Sequence, residues 1–350
     1  MHGVYIKPDI GSDYYLDADD NQVMGYLGTV NVGYRYGHFP RKGWNTLKHN
    51  ILEPEKYNII IIPRIISRSY KTSGMYYWFS GNVTGYNISG ENFNFYLDQG
   101  IEGSDRVYTE DYDYEEDDPD FKFDFYGYPK TSNESYGIRL HGMNGISELT
   151  PSMRGYCVFA EIVKINAGKN NGWRMPSHIM SEMNPVIFAR PKNSSAVFSY
   201  TKKRGLTVSD SCEMYIVIFC TNFKLNPPKY GLVIYNDKKE ITFSSNYKPM
   251  KIGETTRFSN RNGASFSKIK KPMIIPDAQF VNWKIEGRNR DDVVYLRTGF
   301  GFRNDGNSVY WDDIYSIGTE YGGSYGADGG NAFKIEFDIY GIELSDYFNI

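Results

Sequence analysis

The chain has 350 residues, a formal net charge of −3, and a composition that is 40% hydrophobic and 23% charged. This length accommodates two or three domains with a sizeable core, and a pI of about 6.0 without any basic and aromatic module argues against a nucleic-acid-binding protein. Glycine (35 residues), tyrosine (31) and phenylalanine (21) are abundant. Because aromatic residues favour strands and glycine favours tight turns, the composition predicts an all-β fold.

Neither a secretion signal nor a membrane segment is expected. The first ten residues contain no basic region followed by an apolar run, and the longest apolar stretch, residues 59–62, is far too short to span a bilayer. The three cysteines, Cys157, Cys212 and Cys220, are an odd number in a large chain, so we interpret them as small core residues. We therefore expect folding in a reducing compartment, without membrane insertion.

An internal repeat is the most informative feature of the sequence. Residues 136–158 align without gaps on residues 230–252; each copy begins with Tyr-Gly, and Leu149 aligns with Phe243. In both copies alternating apolar residues lead into turn residues, and a second alternating segment follows. This pattern predicts two equivalent β-hairpins with Leu149 and Phe243 at matching core positions.

The other predicted elements follow the same order along the chain. Residues 2–6 and 14–20 predict an N-terminal hairpin, and residues 300–313 form a weaker fourth copy with a shortened first strand. A short helix is predicted near residues 178–184. After each full hairpin come a proline-bearing strand, an aromatic strand and a closing strand, at residues 57–66, 75–81 and 92–99, then 184–191, 196–203 and 213–220, then 270–276, 280–287 and 293–300.

The spacing of the repeat predicts the domain organisation. The two clear copies begin 94 residues apart, which is the size of one β-sandwich domain. We therefore predict tandem β-sandwich-like domains, each opening with a β-hairpin, at residues 1–134, 135–228 and 229–350. The C-terminal domain includes a glycine-rich loop at 319–333.

An acidic segment at residues 102–120 lies outside the repeat pattern, with ten acidic residues against the single basic Arg106. Three interpretations stay open: a solvated loop or charged strand edge, an electrostatic contact with another protein, and a Ca²⁺ site. A second Ca²⁺ candidate begins at Asp17 and Asp19, but Gln22 stands where the calcium-binding loop of an EF-hand has glycine.

No catalytic or metal-binding motif is recognisable. Residues 299–306 lack the third glycine of a dinucleotide-binding loop, and Ser265 and Lys268 match S-x-x-K without its companion motifs. We predict no catalytic residue, no metal and no cofactor, and a protein that is not an enzyme; ligand-binding residues are not assigned. The histidines are scattered, without the spacing of metal ligands: His2, His38, His49, His141 and His178.

The aromatic residues have two interpretations. Exposed tyrosines can stack on sugars or fill a subunit interface. The tryptophans lie mostly in predicted strands and are interpreted as core residues: Trp44, Trp78, Trp173, Trp283 and Trp311.

Residues 230–252, YGLVIYNDKKEITFSSNYKPMKI, resemble the hairpin that opens the domains of a family of tail-associated proteins of tailed bacteriophages and prophages. That pattern is Tyr-Gly-Leu-x-Val-Phe-Asn, a glycine turn, and Phe-Asp-Ser. Here the residues from Phe243 to Ser245 replace Phe-Asp-Ser, and Asp237 and Lys238 replace the glycine turn. The middle copy departs further at residues 149–151. The motif is a structural hairpin, so the resemblance implies no active site.

The resemblance implies a virion structural component at the tail tip, distal tail or tail fibre, which contributes to assembly and host attachment. Its partners would be other phage tail proteins, in a homo-oligomer or a multi-protein tail assembly, and a host-surface receptor or glycan. It would be located in the virion tail after assembly in the host bacterial cytoplasm. The alternative is a receptor- or glycan-binding module that recognises host-surface carbohydrate and is not restricted to a virion.

Overall fold

The structure, a computed structural model, is built almost entirely of antiparallel strands. Among the described residues, the regular elements other than strands are two short 3-10 helices at Ser181–Met183, within the predicted helix, and at Leu344–Asp346. The all-β class is therefore confirmed. The structure describes residues 3–8, 12–17, 24–33, 43–49, 53–72, 78–97, 107–108, 121–130, 138–141, 146–149, 155–193, 195–202, 204–236, 238–259, 262–277, 281–286, 292–320 and 336–350.

The strands are numbered in chain order. Before residue 134 they are β1 (Gly3–Ile6), β2 (Tyr14–Asp17), β3 (Gly25–Val32), β4 (Gly43–Lys48), β5 (Tyr57–Ile65), β6 (Ser67–Thr72), β7 (Trp78–Ser89), β8 (Asn92–Leu97), β9 (Val107–Tyr108) and β10 (Phe121–Pro129). The next group is β11 (Ile138–His141), β12 (Ile146–Leu149), β13 (Tyr156–Ile165), β14 (Val186–Pro191), β15 (Phe198–Thr201), β16 (Gly205–Val208) and β17 (Cys212–Cys220). The last group is β18 (Val233–Tyr235), β19 (Ile241–Ser244), β20 (Glu254–Ser259), β21 (Ala264–Ser265), β22 (Pro272–Ile274), β23 (Val281–Glu286), β24 (Asp292–Phe302), β25 (Ser308–Glu320) and β26 (Glu336–Glu343).

Each of the three predicted opening hairpins forms a two-stranded sheet of its own: β1 with β2, β11 with β12, and β18 with β19. The hairpin predictions are confirmed. Their registers differ, however, because Ile138 pairs with Leu149, whereas Phe243 pairs with Ile234 and not with the aligned Leu232. The turn between Tyr235 and Ile241 is one residue longer than the turn between His141 and Ile146, and a register irregularity between Ile234 and Tyr235 adds a second residue to the shift. The prediction of fully equivalent hairpins is wrong in this respect.

Strands β3 to β10 form two sheets that pack around phenylalanine side chains. One sheet has the order β3-β10-β5 and the other β4-β8-β7-β6-β9. Phe93 on β8 lies 4.8 Å from Phe123 and 5.1 Å from Phe125 on β10, measured between ring centroids. Alternate residues of β8 and β10 therefore meet between the sheets, as the period of two along each strand requires.

Strand β10 is covered on both faces. Phe123 and Phe125 lie in the core between the N-terminal sheets, and Asp124 and Tyr126 are buried on the opposite face. That opposite face meets the rest of the chain, since the Tyr340 hydroxyl of β26 donates to the carbonyl of Ile61 on neighbouring β5 at 2.5 Å. The N-terminal strands are thus joined to the C-terminal ones through a buried face.

Two six-stranded sheets make up the remainder. One has the order β13-β17-β14-β22-β26-β20, and the other has the order β16-β15-β24-β25-β21 with β23 paired to β24. Both contain strands from each side of the predicted boundary at 228/229. The domain limits 1–134, 135–228 and 229–350 stay predictions. Within the residues that the structure describes, no helix is long and apolar enough to cross a bilayer.

Pro63 marks an irregular point in an edge strand, as its place in an apolar run predicts. Strand β5 is at the edge of its three-stranded sheet, and its pairing with β10 shifts between Ile65 and Pro63. Arg64 is the extra residue at this point, and a bulge redirects a side chain relative to regular alternation. The bulge is the local reason that a charged side chain here enters the interior.

The weaker fourth copy differs from its prediction. Residues 300–313 cover the end of β24, a turn and the start of β25, but β24 has 11 residues, so the first strand is not shortened. An added Cβ at Gly299 would lie 2.4 Å from the Phe198 carbonyl oxygen, and one at Gly301 would lie 2.6 Å from Tyr310 Cζ. These glycines permit close packing inside a long strand.

The cysteines are free thiols, two of them in the core. Cys157 on β13 and Cys220 on β17 are buried, whereas Cys212 at the start of β17 is half-buried. Strand β17 lies between β13 and β14, and every residue from Met214 to Cys220 is buried. A central strand covered on both faces explains the uninterrupted apolar sequence there.

Candidate functional site

The residues considered for metal binding are not brought together in the described part of the chain. Asp17 ends β2, while Asp19 lies outside the described residues. Of the acidic segment 102–120 only β9 is described, and it pairs with β6. Among the described residues, no group of three or more His, Cys, Asp or Glu side chains is placed to hold a metal ion.

The S-x-x-K match belongs to a loop that binds a carboxylate of the chain itself. The backbone N–H groups of Ser267 and Lys268 donate to Glu254 on β20 at 2.9 and 2.7 Å, and the Ser267 hydroxyl donates at 2.8 Å. The Ser265 hydroxyl hydrogen-bonds to a different residue, and its Oγ lies 2.9 Å from Ser308 Oγ. Partial burial alone would raise the pKa of Glu254, but these hydrogen bonds outweigh it and lower the pKa.

Replacing Glu254 with Gln is expected to reduce stability near neutral pH and to matter less in acid. The pKa of Glu254 is lower in the folded protein than in the unfolded chain. The ionised carboxylate therefore stabilises the fold above the unfolded-state pKa of about 4.5, and this stabilisation is lost as pH falls through the folded-state pKa. The measurement is the melting temperature of both proteins from pH 7 to pH 3. A difference that stays constant over this range would contradict the assignment.

The third hairpin packs onto the chain through Phe243. This side chain is 1% exposed and shares a cluster with Ile6, Tyr156 and Leu225. The Tyr156 hydroxyl also donates to the carbonyl of Thr242 at 2.7 Å. Because Ile6 belongs to β1, the first and third hairpins contact the same cluster. The predicted core position of Phe243 is confirmed, whereas the Leu149 side chain lies outside the described residues.

Position 231, the second residue of the Tyr-Gly pair, requires glycine for a steric reason. Gly231 has φ +149°, and a Cβ there would lie 2.1 Å from Ser245 Oγ. Ser245 closes the hairpin, since its hydroxyl accepts from the Leu232 N–H and its own N–H donates to the Leu232 carbonyl, both at 3.0 Å. The preceding Tyr230 is 86% exposed, so the tyrosine of the motif does not belong to the core.

Replacing Gly231 with Ala is expected to destabilise the protein by more than the about 1–3 kcal/mol of an unfavourable backbone conformation alone, because a clash with Ser245 is added. Gly90 is the matched control: it has φ +58°, and an added Cβ would meet nothing within 4 Å. The measurement is urea denaturation of both variants. Equal losses at the two sites would contradict the close approach at Ser245.

A buried lysine joins three distant parts of the chain. Lys248 follows the third hairpin, and its ammonium group donates to the carbonyl of Asp346 and lies 4.8 Å from the Tyr347 ring centroid. The Ser12 hydroxyl of the N-terminal region donates to the same Asp346 carbonyl. Burial lowers the pKa of Lys248, and the Asp346 carboxylate opposes this shift. The third hairpin is thus fixed to both ends of the described chain.

A buried charged cluster joins the N-terminal sheet to the large sheets. Arg64 Nε lies 3.3 Å from Asp124 Oδ2, and Arg64 Nη1 lies 2.8 Å from Asp277 Oδ2. Arg64 Nη2 also donates to the carbonyl of Pro185 at 2.8 Å, and Thr29 donates to Asp124. The three charged side chains are almost fully excluded from solvent. The cluster therefore connects β5 and β10 with the segments next to β14 and β22.

Burial and ion pairing act in opposite directions on this cluster. Burial would lower the pKa of Arg64, but the Coulombic attraction of Asp277 and Asp124 outweighs it and raises the pKa, so the guanidinium stays charged. Burial raises the pKa of Asp277 although Arg64 opposes the shift. Sequence reasoning missed this cluster. The available signal was a single arginine directly after a proline in an apolar strand.

One expected core tryptophan is on the surface. Trp44 is 60% exposed, which makes the interpretation of Trp44 as a core residue wrong. It lies on β4, where exposed and half-buried residues alternate. Trp173 and Trp311 are half-buried and pack against the core, whereas the side chains of Trp78 and Trp283 lie outside the described residues.

The described parts define an all-β protein whose small antiparallel sheets are joined by a buried charged cluster. The family described as "Family of unknown function (DUF6453)" matches residues 26–312, and the chain belongs to this family. The match spans most of the chain, from β3 to within β25. No curated protein and no solved structure matches the chain.

Proposed function

We propose that this chain is a virion structural component of a tailed bacteriophage, located at the tail tip, distal tail or tail fibre. The observation that supports this most is the structure of residues 230–252, which resemble the opening hairpin of phage tail domains. They form the hairpin β18–β19, with Phe243 buried beneath it and Gly231 needed for its closure. The resemblance thus involves residues that determine the local fold.

Assembly into a tail requires surfaces that contact other subunits. Strand β13 ends the order of its six-stranded sheet, and it presents the apolar Ile162 to solvent at 43% exposure beside Glu161. An edge strand of this kind can pair with another chain. The proposed partners are other phage tail proteins and further copies of this chain, assembled in the host bacterial cytoplasm. The proposed role is structural and not enzymatic.

Peptide mass spectrometry of gradient-purified, intact particles tests this proposal. We expect peptides of this chain in the particle fraction at a constant ratio to the other tail proteins, while a host cytosolic protein is depleted from the same fraction. A chain that stays with soluble proteins when the particles are removed would overturn the proposal.

A second function, recognition of a host-surface glycan, is favoured by the exposed indole of Trp44. Large aromatic side chains that are held in place at the surface provide a flat apolar contact for a ligand. Recognition of carbohydrate is compatible with a place in the tail, where attachment to the host occurs.

A further inference from the structure

The outer face of the β4-β8-β7 sheet is an ordered aromatic and amide surface. Cross-strand pairing places outward-facing residues in three rows, and the inner faces of the same strands supply buried core residues such as Phe93 and Phe95. With strand spacing of about 4.8 Å and about 6.8 Å between alternate residues, the rows cover an area of about 10 by 14 Å. The rows are Trp44-Tyr96-Gly85, Thr46-Asn94-Asn87 and Lys48-Asn92-Ser89.

The indole of Trp44 lies across this face. Its ring centroid is 5.5 Å from that of Tyr96 on the neighbouring strand, in an edge-to-face arrangement with an interplanar angle of 75°. Its far atom, Cη2, would be 4.0 Å from a Cβ added at Gly85, two strands away. The ring therefore extends over the sheet toward Gly85, and its 60% exposure presents it to solvent. A larger residue at position 85 would lift the ring from this position.

A line of polar side chains runs beside the indole in the next row. The Thr46 hydroxyl donates to Asn94 Oδ1 at 2.8 Å, and Asn94 Nδ2 donates to Asn87 Oδ1 at 2.9 Å. These hydrogen bonds fix the orientation of both amides. Asn87 is exposed and its Oδ1 accepts from Asn94, which leaves its Nδ2 group to donate to a ligand hydroxyl.

The surface is close to neutral. Of the described side chains in the three rows Lys48 alone is charged, and it lies 3.0 Å from Glu91. An aromatic ring beside oriented amides, in rows whose one charged side chain is paired, matches a ligand that has one apolar C–H face and hydroxyl groups around its rim. A neutral pyranose has this chemistry, whereas an anionic polymer or an apolar peptide does not.

We infer that the outer face of the β4-β8-β7 sheet binds a neutral sugar of a host-surface glycan, with one pyranose ring stacked on Trp44 and its hydroxyls bonded to the Asn87–Asn94 pair. This inference rests on the host-attachment part of the proposed function. It names the site and the ligand class, and it does not depend on the position of the chain in the tail.

The test is binding of the full chain to an array of neutral hexose and N-acetylhexosamine oligosaccharides, followed by titration of a bound saccharide. We expect Trp44→Ala and Asn87→Ala each to weaken binding by about tenfold or more, as removal of a central contact does. Gly85→Val is expected to abolish binding while the protein stays folded, because valine suits a strand but displaces the indole.

Tyr230→Ala is the matched control, because it removes an aromatic side chain that is 86% exposed in the segment before β18, away from the β4-β8-β7 sheet. It should leave saccharide binding unchanged. The inference is overturned if no neutral saccharide is retained, if only anionic glycans bind, or if the Trp44 and Gly85 variants bind as well as Tyr230→Ala. Detection of the chain in particles is a separate measurement, so the two proposals fail independently.

Discussion

Replacing Phe243 with Ala is expected to lower the free energy of unfolding by about 3–5 kcal/mol. The ring is 1% exposed and contacts a cluster formed by Ile6, Tyr156 and Leu225, which come from three other segments. Truncation removes the buried apolar surface and leaves a cavity that these surrounding segments can fill only in part. The measurement is urea denaturation followed by tryptophan fluorescence and circular dichroism.

Tyr235→Ala on the paired strand is the control for Phe243, because Tyr235 is exposed. Tyr235→Ala is expected to change the free energy of unfolding by no more than about 0.5 kcal/mol, as most surface substitutions do. A loss of similar size in both variants would show that the hairpin does not pack through Phe243.

Replacing Arg64 with Met is also expected to cost about 3–5 kcal/mol of stability, because two buried carboxylates, Asp124 and Asp277, lose their counter-charge. The loss should be largest near neutral pH. The folded-state pKa of Asp277 is raised, so the stability linked to its protonation is complete below the unfolded-state value of about 3.8 and is lost as pH rises through the folded value. Arg64 opposes this rise, so its removal raises the Asp277 pKa further, and the variant loses more stability than the wild type as pH rises. The deficit of Arg64→Met should therefore shrink as the solution is acidified.

A variant without the three charges separates their pairing from the packing around them. Arg64→Met combined with Asp124→Asn and Asp277→Asn is expected to recover most of the stability lost in Arg64→Met, since no buried charge is left without a partner. The measurement is the denaturation midpoint at pH 7 and pH 5. If the single variant is as stable as the wild type at pH 7, the cluster does not hold the sheets together.

Local pattern was sufficient to predict the strands and the opening hairpins. Alternation after Tyr-Gly predicts β18 and β19, and the alternating phenylalanines of β8 produce the observed burial pattern. Pro63 in an apolar run predicts an edge strand with an irregularity, which β5 has. Each of these features depends only on residues that are close together in the chain, so a short stretch of sequence is enough to predict it.

Other features depend on partners that are distant in the chain. Sequence spacing does not indicate that β14 pairs with β22, or that Arg64 meets Asp277. The two strands are separated by most of a predicted domain, and Arg64 and Asp277 lie in the first and third predicted domains. The exposure of Trp44 was missed for a related reason: a period of two identifies two strand faces but not which face is covered. Which face of β4 is buried depends on the strands that pair with it and on the sheet that packs against it.

Immunogold electron microscopy of intact particles, with antibody against this chain, tests the central claim most directly. The proposed role in the tail predicts gold at the tail end or fibres, in particles whose heads are unlabelled. Particles without label, from a lysate in which the same antibody detects the chain, would contradict it.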